Sequence, residues 1–121
     1  MKALKEIREK IKLFGLKGET EVKALFDTGS PYGYVAKEFA DKVELLVFPE
    51  EHEVELPNKE KMKMKPALGI VEINGCRKPV WTYVNEKPLS DMVLGMLNLE
   101  ALGIKIDTQK GFTISSELPR A

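Results

Sequence analysis

Apolar and polar residues alternate over short stretches of this chain, and turn residues separate the stretches. Between Thr20 and Phe26, Val22, Ala24 and Phe26 fall on one face of a strand. Upstream, Leu4, Ile7, Ile11 and Phe14 recur at helical spacing, whereas Ile11 and Leu13 alternate with Lys10 and Lys12 as a strand does. The strand is preferred over the second half, because Gly15-Leu16-Lys17-Gly18 reads as a hairpin turn into Thr20. Ala36–Val43 is predicted as a short helix with Ala36, Phe39, Ala40 and Val43 inward. Leu45–Phe48 is a brief apolar run that Pro49 ends. Glu53–Leu56 and Lys61–Lys65 flank the turn Pro57-Asn58-Lys59. Leu68–Ile73 and Val80–Val84 are strands joined through Asn74-Gly75, with Pro79 marking an edge. Met92–Leu94 reads as a buried strand and Leu97–Leu102 as a helix stopped by Gly103. Ile104 and Ile106 then alternate with polar neighbours, and Gln109-Lys110-Gly111 turns into a last strand, Phe112–Ser115. Many short strands and two short helices predict a mostly-β, barrel-like domain.

Composition narrows this picture only a little. The length of 121 residues suits one domain spanning residues 1–121, and 43% hydrophobic content suffices for a core. Lys+Arg and Asp+Glu both number 19, so the formal net charge of zero offers no nucleic-acid surface. No run approaches a membrane span, and the basic N-terminus lacks the apolar stretch of a signal peptide. The lone Cys76 can form no internal disulfide, so the expected setting is reducing and cytoplasmic. His52 is the only histidine, which excludes a His-rich metal site within one chain. The residues imply no metal and no cofactor.

The chemistry lies in Ala24-Leu25-Phe26-Asp27-Thr28-Gly29-Ser30. An acid that ends an apolar strand is costly to bury unless it is hydrogen-bonded or paired. Gly29 lets the backbone approach that carboxylate and donate its N–H. Thr28 offers a hydroxyl pointing away from the acid, and Ser30 one pointing towards it. A second segment, Val93-Leu94-Gly95 followed by a helix ending at Leu102-Gly103, begins its helix after a Gly that lies 68 residues beyond Asp27.

An apolar pair before Asp-Thr-Gly-Ser, with a later apolar pair, Gly and short helix, resembles the retropepsin-like aspartic proteases in the compact, single-domain layout of prokaryote-like members. The resemblance spans roughly residues 7–115. It implies an acid-protease barrel with one lobe per chain, and an aspartic endopeptidase acting as a homodimer on peptide or protein substrates. Asp27 from each chain would be catalytic. Thr28 would bond across the interface, Gly29 and Ser30 would support the acid, and Val93 would border the substrate. Phe112–Ser115 is the expected interface strand. Two positions depart from the retroviral pattern: Pro31 and Met96 stand where many members pair an Asp with an Arg. Both partners are replaced together, so no charge is stranded. The rival reading is a non-proteolytic dimerisation or peptide-binding module on the same fold.

Between the first helix and the strand at Leu68, the resemblance places a substrate-covering hairpin. Glu51, Glu53 and Glu55 alternate in one limb, and Lys61, Lys63 and Lys65 in the other. The pairs Glu55–Lys61, Glu53–Lys63 and Glu51–Lys65 fix one register around Pro57-Asn58-Lys59. Val54, Leu56, Met62 and Met64 then share the face that would roof a cleft. Leu56, Pro57, Asn58, Lys59, Met62 and Val93 are the expected substrate contacts. His52 would face Met64 structurally, Cys76 would be an edge thiol, and Trp81 and Tyr83 would pack in the core.

Overall fold

The computed structural model describes residues 6–56, 58–107 and 109–115. Strands β1 (Glu6–Gly15) and β2 (Gly18–Asp27) form a hairpin whose register closes on Gly15 opposite Gly18, so Leu16 and Lys17 are the turn. The strand pattern therefore prevails over the helical spacing along the whole described length of β1. Val22, Ala24 and Phe26 are buried, as their alternation requires.

After the Asp27 loop the chain forms β3 (Tyr34–Ala36), α1 (Lys37–Val43), β4 (Leu46–Val47) and β5 (His52–Glu55). β6 (Lys61–Ile73) and β7 (Cys76–Asn85) are long antiparallel partners. They meet at Asn74-Gly75, whose φ angles of 50° and 81° suit a tight two-residue hairpin. β8 (Met92–Leu94), α2 (Met96–Leu102), β9 (Ile104–Asp107) and β10 (Gly111–Ile114) complete the chain. Pairing runs β1-β2-β8-β3-β7-β6, and β6 returns to β1, so six strands close a barrel. β9 and β10 form a separate two-stranded sheet.

Lys61–Lys65 and Leu68–Ile73 were expected as separate strands, but they are one. The carbonyl of Pro66 accepts the N–H of Phe48 on the β4 side. Its nitrogen points the same way, so the missing N–H removes nothing from the β7 ladder. Pro79 lies in the part of β7 that β3 does not reach, since β3 pairs only with Tyr83–Asn85. The edge expectation therefore holds there.

The core fills the barrel with Leu13, Val22, Phe26, Val35, Val71, Met92 and Leu94, all essentially inaccessible. Phe112 of β10 packs edge-on against Phe26, at 5.0 Å between ring centroids. Gly103 ends α2 in the left-handed conformation (φ 73°) that glycine adopts without strain. Just beyond, the buried Lys78 ammonium donates to the carbonyls of Leu102 and Ser115, at 2.7 and 2.6 Å. One cation thus ties the negative end of α2 to the end of the last sheet. Among the described residues, no helix is long and apolar enough to cross a membrane.

Candidate active site

Two strands set the position of Asp27. β2 pairs in parallel with β8, with Leu25 opposite Val93 and Phe26 opposite Leu94, so the acid leaves the sheet where β8 reaches Gly95. The N–H of Gly29 donates to Asp27 Oδ1 at 2.8 Å. A side chain at Gly29 would crowd that oxygen at 3.2 Å. The Asp27 carboxylate makes no other hydrogen bond within the described chain, so Oδ2 remains available.

α2 holds the loop after Asp27. The N–H groups of Met96 and Leu97 donate to the carbonyls of Ser30 and Pro31, at 2.6 and 3.2 Å. Gly95 packs so closely that a Cβ there would press into the carbonyl oxygens of Tyr32 and Ser30. Buried Asn98 completes the brace. Its Oδ1 accepts from Gly95 N–H at 3.0 Å, and its Nδ2 donates to the Trp81 carbonyl at 2.7 Å. Sequence reasoning passed over Asn98. Its only signal was an amide three residues after a helix-starting Gly.

Asp27, Ser30, Leu56, Asn58 and Val93 line one cleft of about 290 Å³, so five of the expected residues converge. Leu25, Tyr34, Ala36, Asn85 and the segment Lys87–Ser90 complete its walls, and Asp27 is the only carboxylate among the lining residues. A neighbouring hollow of about 470 Å³ holds Gly29, Ser30, Leu56 and Lys59 with Tyr32, Tyr34 and Tyr83. Met62 does not line either space. It packs with Val54, Met64 and Leu56 on a small apolar cluster with Tyr34, Tyr83 and Val93. Thr28 is half-buried beside the acid, and within the described chain its hydroxyl has no partner. Pro57 lies outside the described residues.

The hairpin register is the one the charges dictate: Glu53 opposite Lys63, Val54 opposite Met62, Glu55 opposite Lys61 and His52 opposite Met64. The expected pair Glu51–Lys65 is not part of this ladder, which stops at His52 while Lys65 pairs with Val84. His52 has a polar role. Its ring nitrogens lie 2.8 Å from the Tyr83 hydroxyl and 2.6 Å from the Glu50 carboxylate. Burial first, then the neighbouring Tyr32 and Glu50, pushes the Tyr83 phenol up. Burial also raises Tyr34, against a hydrogen bond with Ser30 that pulls it down. Both phenols therefore stay protonated at neutral pH and can donate.

Two expectations need correction. The buried Ser30 hydroxyl donates to the Tyr32 carbonyl at 2.8 Å, not to Asp27. In that position it satisfies the turn that leads into β3, so it supports the loop and not the charge. Trp81 is not core: it is 51% exposed, 5.5 Å from the Phe48 ring, in an outer groove with Tyr32 and Leu97. Thr82, the next residue on β7, takes the inward position.

No family model matches the chain, and no curated protein matches it by sequence. Solved structures do match its fold. The retroviral protease-like domain of Ddi1 from Leishmania major superposes with a TM-score of 0.71 at 17% identity, over 94% of this chain and 91% of that one. EIAV protease, solved with the inhibitor HBY-793, gives 0.64 at 14% identity, over 85% and 93%. A retropepsin-like aspartic protease from Rickettsia conorii gives 0.54 at 25% identity, over 87% and 77%. The structural neighbours are retropepsin-like aspartic proteases, and this chain has their fold.

Proposed function

We propose that the chain is an aspartic endopeptidase that works as a homodimer, with Asp27 of each protomer as its catalytic acid. The observation that carries the reading is the one carboxylate among the lining residues of a cleft under a hairpin, fixed on one oxygen and open on the other. One carboxylate cannot act as base and acid in the same step, and the lining residues of this cleft include no second one. A two-fold axis beside Asp27 would supply it from an identical chain. The two groups would then share one proton. The ionised one takes a proton from a water as that water attacks the scissile carbonyl, and the protonated one donates to the carbonyl oxygen.

The remaining residues have roles that fit this chemistry. Gly29 orients the carboxylate through its N–H, and the partnerless Thr28 hydroxyl is free to bond across the axis. Ser30 holds the loop. Leu56, Asn58 and Lys59 of the hairpin and Val93 of β8 border the peptide, and a substrate contact is proposed for Pro57 as well. The fold neighbours support protease activity in general. Phe112–Ser115 is proposed for the dimer interface.

Asp27→Asn tests the assignment, because Asn keeps the shape and cannot act as a base. Cleavage of a peptide library should be lost while the folded state and the dimer persist. Turnover retained by the purified variant would remove Asp27 from the mechanism. A wild-type protein that binds peptides without cleaving any would support the binding-module reading instead.

A further inference from the structure

Resting on the protease reading, we propose that the cleft selects peptides with an acidic side chain near the cleaved bond, and that Arg8 and Lys23 receive it. Side chains alternate along β2, so Asp27, Leu25 and Lys23 stand on one face. At about 3.3 Å per residue, Lys23 lies roughly 13 Å along the strand from Asp27. Arg8 is directly opposite Leu25 in the β1–β2 register, so it rises on that same face. A hollow of about 230 Å³ lies there, lined by Arg8, Lys23, Leu25, Leu89, Ser90 and Asp91. It shares Leu25, Leu89 and Ser90 with the cleft that holds Asp27, so the two spaces adjoin.

The charges in this hollow are unbalanced. Its single acid, Asp91, is engaged by the main-chain N–H of Lys23 at 3.0 Å. Among the described residues, neither Arg8 nor Lys23 has an ion pair. Lys10 sits directly across from Lys23, a like-charge pair that costs stability unless a counter-charge arrives. A substrate carboxylate supplies that counter-charge, and the planar Arg8 guanidinium can hold it through two parallel hydrogen bonds. The neighbouring hollow under the hairpin has no such excess, because Glu53 and Glu55 accompany Lys59 there. Selection should therefore act on one side of the scissile bond, within about four residues of it for an extended peptide.

The test uses fluorogenic octapeptides that differ only by Glu, Gln or Lys at each position in turn. At one position or two adjacent ones, Glu should exceed Gln in kcat/KM by about tenfold, the worth of a charged hydrogen bond. That ratio should shrink in high salt. Arg8→Gln/Lys23→Gln should erase the preference, and Arg8→Glu/Lys23→Glu should turn it towards Lys. Equal kcat/KM for Glu and Gln at every position, or a Glu preference that survives either double variant, would overturn the proposal. Binding of the same octapeptides to Asp27→Asn, followed by fluorescence anisotropy, separates the two readings. Tighter binding of the Glu peptides without wild-type cleavage would sink the protease assignment and keep the acidic subsite. Equal binding of Glu and Gln peptides would sink the subsite alone.

Discussion

Asn98→Ala should destabilise the fold well beyond what its size suggests. The side chain is 8% exposed and makes two hydrogen bonds, one to the Gly95 N–H and one to the Trp81 carbonyl. Removing it leaves a buried donor at the start of α2 and an acceptor on β7. Each unsatisfied group costs about 1–3 kcal/mol. The Trp81 carbonyl is only part-buried and can recover some of this from water, so about 2–4 kcal/mol is expected overall. For a domain of this size that corresponds to a fall in Tm of roughly 8–16 °C. Asn98→Asp retains the acceptor for Gly95 but sets a carboxylate oxygen against the Trp81 carbonyl, so it should not restore the loss. Urea unfolding followed by circular dichroism measures both variants. The loop after Asp27 hangs on α2 through Ser30 and Pro31, so peptide cleavage should fall even where the variant is fully folded. A loss below about 0.5 kcal/mol for Asn98→Ala, the level of an ordinary surface substitution, would refute the brace.

Two further predictions concern the cleft. The hairpin limbs meet only through the short β5–β6 ladder, and among the described residues neither Glu53 and Lys63 nor Glu55 and Lys61 come within ion-pair distance. Amides of residues 51–65 should therefore exchange faster than those of β6 beyond Pro66, and slow when a peptide inhibitor binds; identical exchange in both states would make the hairpin a static surface element. If two protomers bring their Asp27 carboxylates together as proposed and the pair shares one proton, cleavage should be strongest at acidic pH and fade towards neutrality. The proposed dimer should loosen over the same range, and a rate that climbs steadily to pH 8 would point to other chemistry.

The sequence made much of this legible where a local rule had one solution. Alternating charges admitted a single hairpin register, and Glu53 opposite Lys63 follows from it. Asn74-Gly75 and Gly103 specified their turn and helix end through positive φ. Within the candidate site, the contact of Gly29 with Asp27 was legible, because a carboxylate ending an apolar strand needs a close N–H donor. What escaped depends on contacts between distant segments. Lys61–Lys65 and Leu68–Ile73 read as separate strands, and only the direction of the intervening Pro66 carbonyl towards Phe48 shows how one strand runs through both. Ser30 had two acceptors within reach, and the turn into β3 selects the Tyr32 carbonyl. Trp81 shares a strand face with Tyr83, but that face looks outward at Trp81, which no alternation pattern reveals. Asn98 and Lys78 are polar residues whose partners lie 17 and 24 residues away for the bonds to Trp81 and Leu102.

The central claim is that one active site needs two copies of Asp27, and subunit mixing tests it most directly. Wild-type protein is mixed with Asp27→Asn at constant total concentration, under conditions where the chains exchange, and peptide cleavage is measured against the wild-type fraction. If each site takes one carboxylate from each protomer, only wild-type pairs are active, and the rate should follow the square of that fraction. A rate that falls in direct proportion to the wild-type fraction would show that a single Asp27 suffices, and would contradict the shared-site account.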